Sequence, residues 1–331
     1  MATTVNNAFE EFMTNCVNLD PEIVKVAKIS RDNLLQNIHD FSNDNFFNLC
    51  PEFNKQYGSF SRKTKCRELD DIDLMIGISA DGATYSSIYG WNNIIIHANL
   101  KNSMQLDCSN DDGTLNSRIV LNKFKEKLKG LNDYSRSELH RDGEAINLNL
   151  ISRDWAFDIV PCFHTVKDDK GESYYLIPNK DGNWKLTEPN RDSNLVRSAN
   201  DLMKGNFLPL VRLCKKWAEH KKIPGIRSYL LETMLVDYAL CEETSDSLKV
   251  NFINVLEFVS QKVLDDISDM KRIQGNINDL SYDERYVISE KAESEAEKAY
   301  QAMRYEIEDG DTNKAINKWR EILGEDFPTY E

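Results

Sequence analysis

Hydrophobic spacing changes twice along the chain. Over residues 1–48 apolar side chains recur three and four apart, as Phe9, Phe12, Met13, Cys16 and Val17 and again as Ile29, Leu34, Leu35 and Ile38, which predicts helices. No chemical motif falls in that stretch. From Tyr57 to about Val166 the apolar runs are short and strand-like: Ile72 to Ile78, Asn93 to His97, Ala145 to Leu150 and Trp155 to Phe163, separated by Asp-Gly and Asn-Asp punctuation. One basic helix, Ser117 to Gly130, interrupts them. A stretch rich in Gly, Asn and Asp, Lys167 to Asn200, reads as a hairpin or loop crossing. Everything after it is helical. Phe207, Leu210, Val211, Cys214, Trp217 and Ala218 form one stripe, Ala292, Ala296, Ala299, Met303 and Ile307 a second, and Ala315, Ile316, Trp319 and Leu323 a third. The pattern predicts an α+β lobe over residues 1–200, N-terminal helices included, and a helical lobe over residues 201–331.

Composition narrows the function classes. With 331 residues, 40% of them hydrophobic, the chain can bury a sizeable core without disulfide or metal staples. Its 41 Lys plus Arg against 55 Asp plus Glu give a formal charge of −14, which argues against wrapping a long nucleic acid or lying on an anionic membrane. The apolar runs fall far short of the roughly 20 residues a bilayer span needs, and Met1 to Asn15 is too polar for a signal peptide. A soluble, cytoplasmic protein with no membrane partner is expected. Seven cysteines stand singly with no C-x-x-C pair, which disfavours a zinc ribbon, a redox pair or a disulfide framework. Charge is uneven: residues 281–331 hold 7 basic and 14 acidic residues, whereas residues 204–227 hold 7 basic and one acidic. The second segment is either an anion site within an acidic protein or a solvated helix face.

The chemistry concentrates between Tyr57 and Ile76. Gly58-Ser59 offers a turn whose backbone can approach a phosphate, and about a dozen residues later Asp71-Ile72-Asp73 lies embedded in apolar residues. In a strand, residues two apart share a face and lie roughly 6.5 to 7 Å apart, so Asp71 and Asp73 can converge on divalent cations while Asp70 points away. Mg²⁺ favours oxygen ligands from one or two carboxylates plus substrate phosphates, and a two-ion site clamps both attacking and leaving oxygens in phosphoryl transfer. Asp158, alone in Trp155-Ala156-Phe157-Asp158-Ile159-Val160, is costly to bury unless paired or metal-bound, and supplies a third carboxylate. Other motifs fail. Gly77 to Gly82 has P-loop spacing but continues Ala83-Thr84 without the phosphate-gripping lysine. Cys162 and His164 share a strand face and suggest either a nucleophile with its base or a structural pair.

Gly58-Ser59, Asp71-x-Asp73 and Asp158 together resemble the signature of the DNA polymerase beta nucleotidyltransferase superfamily. Arg212-Leu213-Cys214-Lys215-Lys216-Trp217 with Ser228-Tyr229-Leu230-Leu231-Glu232 is similar to the helical-lobe pattern of oligoadenylate synthetases. Trp319-Arg320-Glu321-Ile322-Leu323-Gly324 and Phe327-Pro328 resemble the C-terminal ending of the bacterial cGAS/DncV-like nucleotidyltransferases, or CD-NTases, which make cyclic oligonucleotide signals in anti-phage systems. The likeness spans roughly residues 55 to 330. It implies a polymerase-beta-like palm with a small mixed sheet, a C-terminal helical lobe and an active site in the cleft between them. It also implies that Lys215 holds the donor triphosphate, with Lys216 the alternative, that Ser228 touches phosphate and that Tyr229 stacks on the base. Two Mg²⁺ ions, or Mn²⁺, are the expected cofactors on Asp71, Asp73 and Asp158.

The residues make sense of those roles. Lys215 lies off the apolar stripe of its helix, and Ser228 follows the Pro224-Gly225 turn where a helix N-cap stands, near N–H groups suited to phosphate. The expected reaction joins nucleoside triphosphates, ATP among them, into a cyclic di- or oligonucleotide with loss of pyrophosphate. With no counterpart of the zinc-binding insertion of double-stranded-DNA-sensing relatives, no DNA or RNA activator is expected. Regulatory and effector proteins, base choice and ring size have no local signature. Two alternatives stay open: a nucleotidyltransferase acting on an RNA end or a protein, and a catalytically silent nucleotide sensor.

Overall fold

The chain opens on helix α1 (Val5–Phe12), where the Thr4 hydroxyl accepts a hydrogen bond from the Asn7 N–H at 3.1 Å and caps the first turn. In the computed structural model, which describes residues 2–43 and 45–331, contacts divide the chain into two compact units. Unit 1 comprises Met1–Pro21, Lys63–Glu68 and Arg191–Glu331; unit 2 comprises Glu22–Arg62 and Leu69–Asn190. The hydrophobic pattern alone had divided the chain at residue 200. The N-terminal helix joins unit 1 because its buried face, Val5, Ala8, Phe9 and Phe12, finds its partners near the C-terminus. The Phe9 ring meets those of Trp319 and Phe327 edge-on at 4.8 and 5.1 Å.

Unit 2 is built on a mixed sheet. Its elements run α2 (Pro21–His39), β1 (Lys55–Tyr57), α3 (Gly58–Ser61), β2 (Asp71–Gly77), β3 (Thr84–Ser86), β4 (Ile95–His97), α4 (Ser103–Asp107), α5 (Ser117–Lys129), β5 (Glu138–Asp142), β6 (Ala145–Asn149), β7 (Ala156–His164), β8 (Tyr175–Pro178) and β9 (Trp184–Thr187). The strand order is β1-β2-β7-β6-β5, with β8 and β9 continuing from the far end of β7, and β3 and β4 paired separately. Among the strands of the described residues, β2 and β7 alone pair in parallel. Alternation decides the faces. Ile72, Leu74 and Ile76 of β2, Phe157 and Ile159 of β7, and Ile146 and Leu148 of β6 are buried, and Val120, Leu121, Phe124 and Leu128 of α5 are buried on the helix that packs against β5, β6 and β7. The opposite face is apolar at one end, where Met75, Val160, Cys162, Tyr175 and Ile177 cluster, and polar at the other.

Among the described residues, unit 1 holds α1, the π-helical turn Met13–Val17 that continues it, and the α-helices α6 (Pro189–Leu202), α7 (Phe207–His220), α8 (Ser228–Cys241), α9 (Leu248–Lys262), α10 (Tyr282–Ile307) and α11 (Thr312–Leu323). Trp217, Trp319, Phe12, Phe207, Phe252 and Phe327 fill its core. Of the three stripes expected there, the first and third are buried throughout; the second is buried up to Ala299, half-buried at Met303 and 69% exposed at Ile307. Ile29 in α2 is likewise exposed. The stretch expected to be a hairpin or crossing is a hairpin, β8–β9, only up to Thr187; from Pro189 it is helix α6. No helix among the described residues is long and apolar enough to cross a membrane.

Candidate active site

Sheet register brings the carboxylates together. Tyr57 of β1 pairs with Asp73 of β2, Asp73 with Asp158 of β7, and Asp158 with Asn147 of β6. Partners across a ladder share a face, so four polar side chains form a row across four strands. Asp71, two residues before Asp73, lies on the same face and pairs with Ala156. Asp70 faces away and is exposed, its carbonyl accepting the Ala156 N–H at 2.8 Å. Asp158 is half-buried although residues 155–157, 159 and 160 are buried, so the desolvation cost that the apolar run suggested is reduced by solvent at this one position. Asn147 Nδ2 donates to Asp158 Oδ1 at 2.9 Å.

Gly58 is where the turn touches the row. It adopts φ +71°, the left-handed region that glycine enters freely, and a Cβ added there would stand 1.7 Å from Asp73 Oδ2. Only a residue without a side chain lets the start of α3 lie against that carboxylate. Ser59 follows on the first turn, half-buried. Tyr57 precedes it. Burial first, then the charges of Asp73 and Asp158, push its phenol well above the usual range, so it stays a neutral hydroxyl beside two carboxylates.

In unit 1 the expected donor-binding residues are spread over α7 and α8. Lys215 of α7 is 9% exposed and pairs at 2.9 Å with Glu232 of α8, which is fully buried; its ammonium also donates to the Thr64 carbonyl at 3.1 Å. The Thr64 hydroxyl donates to the same Glu232 oxygen at 3.0 Å. Arg212, one turn earlier, donates to the Lys63 carbonyl at 2.5 Å and to Asn18 Oδ1 at 2.8 Å. Lys63–Glu68, the segment that leads into β2, is thereby tied to α7 and α8. Lys216 instead pairs with Glu219 at 3.1 Å on the surface. Ser228 is exposed and is the first residue of α8, one position inside the cap site expected of it; Arg227 holds that site and makes no side-chain cap. Tyr229 donates its hydroxyl to Asp269 Oδ1 at 2.8 Å, and Asp269 also accepts the backbone N–H groups of Lys271, Ile273 and Gln274. The Lys271 ammonium lies 4.7 Å from the centre of the Tyr229 ring.

No family model matches the chain. A probable cyclic nucleotide synthase of Bacillus cereus strain VD146 is 36% identical over 339 aligned positions, covering all of both chains. The chain belongs to the bacterial CD-NTases. Escherichia coli CdnC, solved with ATP, superposes on this CD-NTase with a TM-score of 0.69 at 13% identity, covering 97% of this chain and 98% of that one. Vibrio cholerae DncV, a cyclic AMP-GMP synthase, gives a TM-score of 0.58 at 11% identity, covering 83% of this chain and 69% of that one. The α+β palm with its mixed sheet and the helical lobe are the CD-NTase fold.

Among the described residues, no three His, Cys, Asp or Glu side chains are drawn closely enough together to hold a metal ion as they stand. The donor chemistry nevertheless fits Mg²⁺: Asp71, Asp73 and Asp158 are hard oxygen ligands on one face of two adjoining strands, each half-exposed to solvent. Cys162 and His164 do not form a nucleophile and base in this CD-NTase. Burial pushes the Cys162 thiol far up, and the His164 ring stacks on Phe53 with centroids 4.3 Å apart. Tyr57 and Asn147 are the site neighbours that sequence reasoning missed; their one local signal is position, Tyr57 immediately before Gly58 and Asn147 in the polar slot between buried Ile146 and Leu148.

Proposed function

We propose that the protein is a Mg²⁺-dependent synthase of a cyclic di- or oligonucleotide, acting in anti-phage defence without a polynucleotide activator. The observation that carries this is the row in which Asp73 and Asp158 stand side by side on parallel strands, with Gly58 against one and Asn147 bonded to the other. The full-length likeness to a probable cyclic nucleotide synthase supports cyclic products over tailing of an RNA end.

In this mechanism Gly58 and Ser59 present the backbone of the first turn of α3 to the donor triphosphate. Asp71, Asp73 and Asp158 would hold two Mg²⁺ ions, which would neutralise phosphate charge and stabilise the entering and leaving oxygens. Asp158 takes the proton of the attacking ribose hydroxyl; that oxygen bonds the α-phosphorus as the bond to pyrophosphate breaks. Tyr57, kept neutral, adds no charge to the row. On unit 1 we assign phosphate to Ser228 at the start of α8, and the base to the Tyr229 ring, whose orientation Asp269 fixes. Lys215 reaches a phosphate only by turning from Glu232.

The test is incubation with each combination of nucleoside triphosphates and Mg²⁺ or Mn²⁺, with and without DNA or RNA, followed by phosphatase and mass analysis. A phosphatase-resistant cyclic product, lost in Asp73→Asn, is expected. Products that phosphatase degrades, dependence on added polynucleotide, or an Asp73→Asn variant within about tenfold of wild type would overturn it.

A further inference from the structure

Asp158 has a directed partner on the strand beyond it. Asn147 sits opposite it in the β6–β7 ladder, and Nδ2 to Oδ1 is 2.9 Å. Ile146 and Leu148, on either side of Asn147, are fully buried on the opposite face, so the register that delivers the amide to Asp158 is pinned by the core. At the other end of the amide, Asn147 Oδ1 is buried and accepts no hydrogen bond from another described residue. The contact that this side chain makes to the row is through its donor. The choice of group is informative as well. A lysine or arginine at this position would neutralise Asp158 and compete with a cation for its oxygens, and an aspartate would repel it. A neutral amide restrains one oxygen and leaves the negative charge in place.

We infer that Asn147 is a positioning residue, which holds Asp158 by one carboxylate oxygen so that the other is presented to the metal and the attacking hydroxyl. This rests on the metal-dependent function proposed above. Outer-shell partners of ligating carboxylates typically change metal affinity or activity by 10- to 100-fold when removed.

The experiment compares wild type with Asn147→Ala and Asn147→Asp. Mn²⁺ binding to the nucleotide-free protein is read by calorimetry, pyrophosphate release by steady-state kinetics, and folding by melting in EDTA. Asn147→Ala is expected to weaken Mn²⁺ binding about tenfold. Asn147→Asp, which matches the native side chain in size, is expected to lower kcat at least tenfold with nucleotide KM within threefold and melting unchanged. Should Asn147→Ala fail to fold, Asn147→Asp decides alone. An Asn147→Asp variant retaining half or more of the wild-type kcat, or an Asn147→Ala variant with unaltered Mn²⁺ affinity, overturns the proposal. If wild type binds Mn²⁺ but releases no pyrophosphate from any nucleotide, the proposed function fails, and the Mn²⁺ arm still tests the positioning role.

Discussion

Replacing Lys215 by Met keeps most of the side chain's apolar stem and removes only its charge. The ammonium it removes is the 2.9 Å partner of Glu232, a carboxylate with no exposed surface, and a donor to Thr64 on the segment entering β2. Breaking a buried pair on one side costs about 3–5 kcal/mol, because the remaining charge loses its counterion in a poorly polarisable setting. For a folding unit of some 150–250 residues this corresponds to a fall in melting temperature of roughly 6–20 °C. Lys216→Met is the internal control: its pair with Glu219 is exposed and i,i+3, worth at most about 1 kcal/mol. Lys215→Met with Glu232→Met should recover most of the loss, since an apolar pair leaves no orphaned charge. The same variants separate two roles for Lys215. If it also grips the donor triphosphate, a charge-assisted contact of about 1.5–3 kcal/mol disappears and donor KM rises about ten- to 150-fold. Calorimetric melting and donor titration read the two effects. Equal melting losses for Lys215→Met and Lys216→Met, or a double variant no more stable than Lys215→Met, would refute the buried-clamp argument.

Two further outcomes follow from contacts elsewhere. Gly58→Ala should lower kcat by about 10²-fold or more, because its Cβ would collide with Asp73 Oδ2 at a backbone angle of +71° that alanine adopts poorly, and misplacing a reacting group by about 1 Å costs that much; pyrophosphate release measures it, and a loss under fivefold would count against the close approach. Burial holds His164 and His220 below the ordinary imidazole value of 6.5. A depressed folded-state pKa leaves stability intact above the unfolded value and erodes it as pH falls toward the folded one. Melting temperature should therefore be level above about pH 7 and decline as pH falls below 6.5, with His164→Gln flattening the decline. Glu295, which burial would raise but hydrogen bonds from Lys298 and Lys221 hold below its ordinary 4.5, contributes stability that is complete above 4.5 and is lost as pH falls below it, a separate window.

Much of the architecture was visible in spacing alone. The strands β2, β6 and β7 fall where the short apolar runs place them, because a strand buried on one face or on both carries few polar residues, and α7 and α11 fall on their stripes because one face of each helix is buried. Two features were not visible, and both concern partners rather than elements. Phe9 and Phe12 announce a buried helix face, but the same face would serve any apolar surface, so its attachment to Trp319 and Phe327 near the chain end could not be read. Helix α6 is composed largely of Asn, Asp, Ser and Arg, residues common in loops; it forms because Val196 and Ala199 dock in the unit 1 core.

The site divides in the same way, and the division explains why only part of it was legible. Asp71, Asp73 and Asp158 were conspicuous because a charge in an apolar strand contradicts its surroundings. Asn147 contradicts nothing: an amide on the polar side of a half-exposed strand is ordinary until the pairing partner is known. Ladder register supplies that partner, and register depends on residues far away in sequence, here Ile146 against Ile159 and Leu148 against Phe157. Lys215 was conspicuous for its charge, but its counterion lies 17 residues on, on another helix, and Thr64 lies 151 residues back. Local chemistry therefore reveals which groups react, and long-range pairing fixes how each is held. Substitutions of the reacting groups should abolish activity outright, whereas substitutions of the residues that hold them should give graded losses that scale with how firmly the fold restrains each group.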